Sequence, residues 1–100
     1  MLPVVTLSPY WDNAFAESLV GQGEDRHLAM APSTLQAFVG AVRQTYDRMA
    51  TEGQLPCMLT NPTIRPFVRS VIERIRPATV VLSQNEIHPR MRIRNLGAVG

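Results

Sequence analysis

The sequence of 100 residues contains one cysteine, no lysine and no apolar run close to the ~20 residues that a membrane-spanning helix needs. The N-terminus also lacks the positive, apolar and small-residue order of a signal peptide. Cys57 by itself excludes an internal disulfide and a zinc site built on several cysteines, so the reducing cytoplasm is the simplest compartment. We therefore expect one small domain over residues 1–100, with no membrane span of its own.

The absence of lysine means that all ten basic side chains are arginine. Residues 1–50 hold three arginines and five acids, whereas residues 51–100 hold seven arginines and three acids, so the halves carry −2 and +4. The total of +2 is too small to indicate nucleic-acid binding by itself. Because the planar guanidinium suits carboxylates and aromatic rings, this composition favours a protein–protein surface at least as well.

Proline marks the start of three predicted helices. Ser8-Pro9, Ala31-Pro32 and Asn61-Pro62 each precede an apolar pattern of helical period, and proline is favoured at the first helical position. The Ser8 and Asn61 side chains are suited to capping the open N–H groups of the first turn. The predicted helices cover residues 9–20, 32–51 and 62–76. The expected core residues are Phe15, Phe38, Phe67, Val71 and Val81. Trp11 lies on the apolar face of the first helix, as a core residue or a partner contact.

Short apolar runs next to these helices predict the strands of a sheet. Val4–Leu7 and Cys57–Leu59 each lead directly into a helix, and the β-branched run Thr79–Ser83 is typical of a central strand covered on both faces. Cys57–Ser83 then forms a strand–helix–strand unit, which is parallel and right-handed in nearly all proteins. The elements together predict an α/β fold, in which a small sheet of about four strands packs against three helices.

A last strand is predicted to begin near Arg90, after a polar corner at Gln84–Glu86, and to lose its alternation at Gly97. Alternation would direct Met91 and Ile93 into the core. The side chains expected to face outward are Arg90, Arg92 and Arg94. The chain begins almost at once in one strand and ends on Gly100 close to another, so we expect a fragment of a longer protein.

The sequence contains no convincing motif for a catalytic or metal-binding site. His27 and His88 have no Cys, His or carboxylate at ligand spacing on the same element, so we expect no metal site and no cofactor. Glu86 and His88 could form the acid–base pair of a hydrolase, a distant alternative, but no Gly-x-Ser-x-Gly elbow accompanies them. Gly21-x-Gly23 lacks the third glycine and the lysine of a phosphate-binding loop. The sequence thus predicts no catalytic residue and no enzyme.

Arginines on the third helix are the first candidate partner-binding group. Arg65, Arg69 and Arg76 fall within about one quarter of the helix circumference. Glu73 is spaced to pair with both Arg69 and Arg76. Two interpretations stay open: a solvated face held by salt bridges, or a contact face for a neighbouring domain or partner.

Arg90, Arg92 and Arg94 are the second candidate group. Such a stripe could bind phosphates or an acidic protein surface, or it could guard an edge strand against pairing with another sheet. The alternative function, a small nucleic-acid-binding α/β module, would use this stripe. The modest net charge and the absence of aromatic side chains among these arginines count against that alternative.

The stretch Leu55–Arg69, followed by Val80–Ile87, resembles the C-terminal end of the FlhA family, the export-gate proteins of the flagellar type III secretion apparatus. The shared pattern is an apolar strand, Asn-Pro-x-Ile-Arg, an arginine-rich helix and then Val-Leu-Ser-x-Asn-Glu-Ile. The segments Thr6–Pro9, Leu28–Pro32 and Arg92–Gly97 fit as well, although Ala31 stands where the family commonly has Asp. The signature corner of this pattern consists of Asn85, Glu86 and Ile87.

The resemblance, which extends to the related injectisome export gates, implies a non-enzymatic role. Residues 1–100 would be the last cytoplasmic subdomain of a multi-pass inner-membrane protein whose tails form a nonameric ring at the cytoplasmic face. That ring would meet export substrates, chaperone–substrate complexes and other proteins of the export apparatus, and not nucleic acid. Within it, this subdomain would help to dock and gate the substrates.

Overall fold

The computed structural model describes residues 1–100 as a four-stranded sheet, three helices and a two-stranded hairpin. Two single 3₁₀ turns, Gly23–Asp25 and Gln84–Glu86, each follow a strand. In chain order the elements are β1 (Leu2–Leu7), α1 (Pro9–Glu17), β2 (Leu19–Val20), β3 (His27–Leu28), α2 (Pro32–Thr51), β4 (Cys57–Thr60), α3 (Arg65–Ile75), β5 (Val81–Ser83) and β6 (Ile93–Val99). The predicted α/β class is confirmed, and none of the three helices is both long and apolar enough to cross a membrane.

The sheet is entirely parallel, with the strand order β5-β4-β1-β6. Val4 pairs with Cys57 and Met58 pairs with Val81, so β4 lies in the middle and β5 at an edge. The prediction of a central strand over Thr79–Ser83 was therefore wrong. Only one face of this segment is buried. Val81 lies under the helices, whereas Val80, which immediately precedes β5, is 52% exposed.

All three helices contribute to a single core, which includes one face of the sheet. Val5, Met58 and Val81 belong to the same buried cluster as the helix residues, so they mark the sheet face that the helices cover; Val4, of opposite parity in β1, is buried as well. Cys57 has the opposite parity and is half-buried rather than fully buried as a core residue would be. The helical residues of the core are Trp11, Phe15, Phe38, Val42, Tyr46, Met49, Val68 and Ile72, joined by Ile64 just before α3.

Trp11 is a core residue, because only 4% of it is exposed. Its ring meets Phe38 edge-on at 5.1 Å between centroids, and Phe38 meets Phe15 in the same way at 4.8 Å. Such edge-to-face geometry adds to the burial of apolar area. The indole Nε1–H donates to the carbonyl oxygen of Gly100 at 3.0 Å, so the buried polar atom is satisfied and the C-terminal residue is tied to α1.

The core differs from the prediction on α3. Val68 and Ile72 are buried, whereas Phe67 and Val71 are half-buried and pack on the edge of the core. The side of α3 that carries Val68 and Ile72 therefore faces the core, and the side that carries Phe67 and Val71 lies at its margin. The apolar face of α3 is wider than its contact with the core, so part of it stays open to solvent.

The first helix ends three residues earlier than predicted, at Glu17. Leu19 and Val20 instead pair with Leu28 and His27 in the β2–β3 hairpin. Gly21 takes φ +85°, and a Cβ atom there would lie 2.5 Å from the carbonyl oxygen of Asp25. Only glycine fits this turn, so the chain leaves the helix and folds back.

The other two helices differ in how their first turns are capped. Asn61 Oδ1 accepts a hydrogen bond from the Ile64 N–H at 3.2 Å, and residues 62–64 form a turn before α3 begins at Arg65. The predicted cap is present, but the regular helix starts three residues later than the proline suggested. Ala31, where an N-cap side chain is expected, makes no capping bond for α2.

The side chains of the last strand point in other directions than predicted. Met91 precedes β6 and is 49% exposed, and Ile93 is 42% exposed, so neither residue points into the core. The register against β1 shifts between Val4 and Thr6, at a bulge where Gly97 has φ +134°. The expected break at Gly97 is confirmed, and the bulge resets the alternation so that Val99 is the buried residue of the strand.

The facing of α3 predicts unequal costs for two substitutions. Ile72→Ala should lower the free energy of unfolding by about 2–5 kcal/mol, because it leaves a cavity in a packed interior. Val71→Ala should cost clearly less, since Val71 is half-buried and its neighbours are partly solvent. Chemical denaturation of both variants measures the difference, and equal losses would contradict the orientation of α3.

Candidate functional site

The carboxyl ends of β1, β4 and β5 lie at one edge of the sheet because the strands are parallel. Each strand is followed there by a polar residue. Ser8 Oγ accepts from the Trp11 N–H at 3.5 Å and caps α1, as Asn61 caps the turn before α3. Asn61 Nδ2 also donates to Asp12 Oδ1 at 2.8 Å, so the two caps are joined. In open parallel sheets this edge is the usual place for a ligand.

The corner after β5 is closed by the carboxylate of Glu86. Its Oε1 accepts from the Ser83 N–H at 3.0 Å, as one half of a capping box, and also from the Ser83 hydroxyl at 2.8 Å. The buried Nε of Arg65 lies 2.6 Å from the same oxygen, as an ion-pair contact without the direction of a hydrogen bond. The bonds from Ser83, with Arg65 nearby, hold the pKa of Glu86 below its ordinary value.

Asn85 and Ile87 complete the signature corner. Asn85 lies in the 3₁₀ turn, and its side-chain amide contacts the Ser83 hydroxyl rather than the backbone. The Ser83 hydroxyl contacts both the Asn85 side-chain oxygen and Glu86 Oε1, so its single hydrogen is shared between two acceptors. The Ile87 N–H donates to the carbonyl of Gln84 at 3.4 Å, and its side chain is half-buried. These three residues therefore shape the chain as it leaves β5.

Glu86 and His88 do not form the acid–base pair of a hydrolase. The Glu86 carboxylate contacts Ser83 and Arg65, and the His88 ring contacts the backbone of the turn that follows it. His88 Nδ1 accepts from the Arg90 N–H at 3.0 Å, and the His88 carbonyl accepts from the Met91 N–H at 2.9 Å. His88 therefore organises the turn that precedes β6. No three His, Cys, Asp or Glu side chains are grouped as metal ligands.

The three arginines predicted to form one stripe on α3 have three different surroundings. Arg65 is half-buried against Glu86, and Arg69 pairs with Glu73 at 2.9 Å with both side chains more than half exposed. Arg76, just beyond the helix, packs its guanidinium 4.4 Å from the centre of the Tyr46 ring. Its Nε donates to Thr79 Oγ1 at 3.2 Å, so Arg76 does not reach Glu73 as expected.

The contact between Tyr46 and Arg76 was not predicted from the sequence. The Tyr46 hydroxyl is buried and donates to the carbonyl of Pro56 at 3.0 Å. Burial raises the pKa of Tyr46 above its usual range, although the nearby Arg76 acts in the opposite direction. Helical spacing placed Arg76 with Arg65 and Arg69, and nothing local in the sequence indicates its contact with Tyr46.

Arg90, Arg92 and Arg94 are all exposed, and none has a carboxylate within ion-pair distance. Arg90 lies in the turn organised by His88, Arg92 precedes β6, and Arg94 lies within that strand. They are therefore not three successive outward positions of one strand. Because β6 is an edge strand, both interpretations of this group, binding and protection of the edge, fit its position.

The family model described as "FHIPEP family" matches residues 1–92 of the sequence. The chain belongs to the FHIPEP family. It is 54% identical over 98 residues to the flagellar biosynthesis protein FlhA of Caulobacter vibrioides, and spans 14% of that relative's length. The predicted resemblance is thus confirmed: the chain is an FlhA-like domain of the flagellar and type III export-gate kind.

Solved structures of related proteins share the fold. The CdsV protein of Chlamydia pneumoniae superposes with a TM-score of 0.84 and 28% identity, covering 98% of this chain and 28% of that one. CdsV in complex with CdsO gives a TM-score of 0.77. Nonameric EPEC SctV-C also gives 0.77, at 23% identity over 97% of this chain and 28% of its own, which shows a common fold.

The bonds to Glu86 predict a pH-dependent contribution to stability. Because the folded-state pKa lies below the usual 4.5, the ionised carboxylate stabilises the fold fully above that value. This contribution is lost as the pH falls through the folded pKa. Glu86→Gln should therefore lower the melting temperature at pH 7, and the difference from the wild type should shrink toward pH 3.

Melting curves of both proteins between pH 7 and pH 3 measure the effect. Glu52→Gln is the matched control, because Glu52 is exposed and forms no ion pair. A Glu86→Gln deficit that is constant with pH would show that its carboxylate charge does not stabilise the corner.

Proposed function

We propose that the chain is a non-enzymatic subdomain of a flagellar type III export gate, which helps to dock and gate export substrates and their chaperones. Membership of the family and the identity to FlhA support the export-gate assignment. The closed polar corner and the single core support the mechanical part of the proposal. A body held in this way transmits a hinge rotation to its neighbours instead of absorbing it.

Residues 1–100 would be one subdomain, the last cytoplasmic one, of a longer multi-pass inner-membrane protein. The chain would then lie at the cytoplasmic face of the bacterial inner membrane. Its match to 14% of the length of FlhA supports its assignment as one part of a larger protein. The family resemblance of the corner after β5 is the basis for placing it at the C-terminal end.

The partners we propose are export substrates, chaperone–substrate complexes and other proteins of the export apparatus. Within the full-length protein the subdomain would belong to a homo-oligomeric, nonameric ring. The nonameric state of EPEC SctV-C and the complex of CdsV with CdsO support these two parts of the proposal. No metal or cofactor enters this function.

The single observation that carries docking is the segment Arg90–Arg94. Its three arginines are exposed and lack carboxylate partners, and the exposed Met91 and Ile93 lie between them. Alternating cationic and apolar side chains suit an acidic protein surface that also has apolar contacts. Nucleic acid is not favoured, because no aromatic platform lies in this segment and the chain is similar to a flagellar biosynthesis protein.

In this proposal, Arg69 on α3 can contact a partner directly, whereas Arg65 and Arg76 hold the α3 surface in position. Arg69 can leave its exposed pair with Glu73 at little cost, since such pairs contribute under ~1 kcal/mol. Arg65 and Arg76 are engaged in the fold, so we assign them the positioning of the α3 surface rather than direct contact. A charge reversal at Arg65 would disturb the corner, and it is not a clean test of docking.

Charge reversal in the second arginine group tests the proposal. In the full-length protein, Arg92→Glu with Arg94→Glu should reduce flagellar protein export by about tenfold, because like charges across an interface are repelled. Arg43→Glu with Arg48→Glu is the matched control. Both of those residues are exposed on α2 without an ion pair, and the change in net charge is the same.

The measurement is the amount of secreted flagellar protein, with a thermal melt of each variant. We expect unchanged melts, near-normal export with the control pair, and recovery of export when Arg92 and Arg94 are replaced by lysine. Normal export by the folded Glu variant would contradict docking through this segment. Salt-sensitive binding of oligonucleotides, lost in the Glu variant, would instead support the nucleic-acid alternative.

A further inference from the structure

A groove with a volume of about 460 Å³ lies between α2, α3 and the β2–β3 hairpin. Its apolar lining consists of half-buried side chains, so each of them keeps part of its surface open to the groove. The corner after β5 and the Arg90–Arg94 segment take no part in it. The apolar lining residues are Leu28, Leu35, Val39, Phe67, Val71 and Ile75.

The apolar surface of the groove has the length of a short helix. Phe67, Val71 and Ile75 follow each other at four-residue spacing along one flank of α3, which gives a row of about 12 Å. Leu35 and Val39 form the opposite wall at the same spacing on α2. Two turns of a third helix, with apolar residues at every third or fourth position, would fill this space.

The polar lining of the groove is cationic. Arg26 and Arg74 line it together with His27 and Ser70, and no Asp or Glu is among the lining residues. Neither arginine has a carboxylate within ion-pair distance, although Arg26 follows two acidic residues in the chain. The groove therefore offers two unpaired positive charges beside a strip of apolar surface.

We propose that this groove binds an acidic amphipathic helix of a partner protein. The apolar face of that helix would pack between α2 and α3, and its acidic side chains would pair with Arg26 and Arg74. A second copy of this chain does not fit. The one helix of the chain that carries acids without a basic residue, α1, already buries its apolar face with Trp11 and Phe15. This inference concerns a second surface and does not depend on the Arg90–Arg94 segment.

The binding test uses the full-length protein and a fluorescent synthetic helix of about 14 residues, with leucines at helical spacing and glutamates on either side. The comparison peptide has lysine in place of every glutamate. We expect saturable binding of the acidic peptide, and affinity for the lysine peptide weaker by about tenfold or more. Fluorescence anisotropy at several salt concentrations measures both, without any dependence on export.

Two variants locate the binding. Arg74→Glu should weaken binding of the acidic peptide by about tenfold, whereas Arg48→Glu, an equal charge change on α2 away from the groove, should not. Val71→Thr keeps the shape of the side chain but replaces one methyl group with a hydroxyl, and should weaken binding by about threefold or more. A melt of each variant shows that it remains folded.

Absence of binding by the acidic peptide would overturn the inference, including the case in which another part of the full-length protein occupies the groove. Equal binding of the acidic and lysine peptides, or equal effects of Arg74→Glu and Arg48→Glu, would overturn it as well. Normal peptide binding together with normal export by the Arg92 and Arg94 variants would support the groove while contradicting docking through the other segment.

Discussion

Parallel pairing of β1, β4 and β5 is the constraint on which the rest of the structure depends. It brings the carboxyl ends of these three strands together. The turn after each strand leaves backbone N–H groups that no neighbouring strand can reach, and these need other hydrogen-bond partners. Ser8, Asn61 and Glu86 supply those partners as caps. Contacts to Asp12 and Arg65 then join α1 and α3 to this edge. The polar side chains that would form a binding site in many parallel sheets are here engaged with one another.

The open surfaces of the molecule lie elsewhere as a result. Apolar side chains on the flank of α3 exceed what the core contact uses, and they remain half-buried around a cationic groove. The arginines around β6 remain unpaired at the opposite sheet edge from β5. A single packed core with two accessible cationic surfaces is the physical basis of the proposed transmission of motion and binding of acidic partners.

Local chemistry made part of this fold predictable. Proline and the 3.6-residue period located the three helices, and short apolar or β-branched runs indicated the strands of the sheet. The hairpin was missed because its two-residue strands are too short to show a period, although Gly21 marked the turn. The order of the strands could also not be predicted. The β-branched run Thr79–Ser83 has one buried face, but its sequence looks the same as that of a strand buried on both faces.

The candidate site was less predictable than the fold, because its contacts join distant parts of the chain. Helical spacing placed Arg65, Arg69 and Arg76 together, but it does not show that Glu86 and Tyr46 draw two of them away. Side-chain alternation failed at β6 because the bulge at Gly97 changes its parity. The corner itself was recognisable from its motif, whereas the groove needed the packing of α2 against α3 to be known.

The carboxyl ends of β1, β4 and β5 form a closed structural joint. Amide hydrogen exchange at Ser83 tests it most directly, because the Ser83 N–H donates to a side chain, Glu86, and not to a strand partner. We expect the Ser83 amide to exchange far more slowly than in an unstructured peptide, at a rate comparable to the Met58 amide of the sheet, and to exchange faster in Glu86→Gln. Exchange at the unstructured rate, unchanged by that substitution, would contradict it.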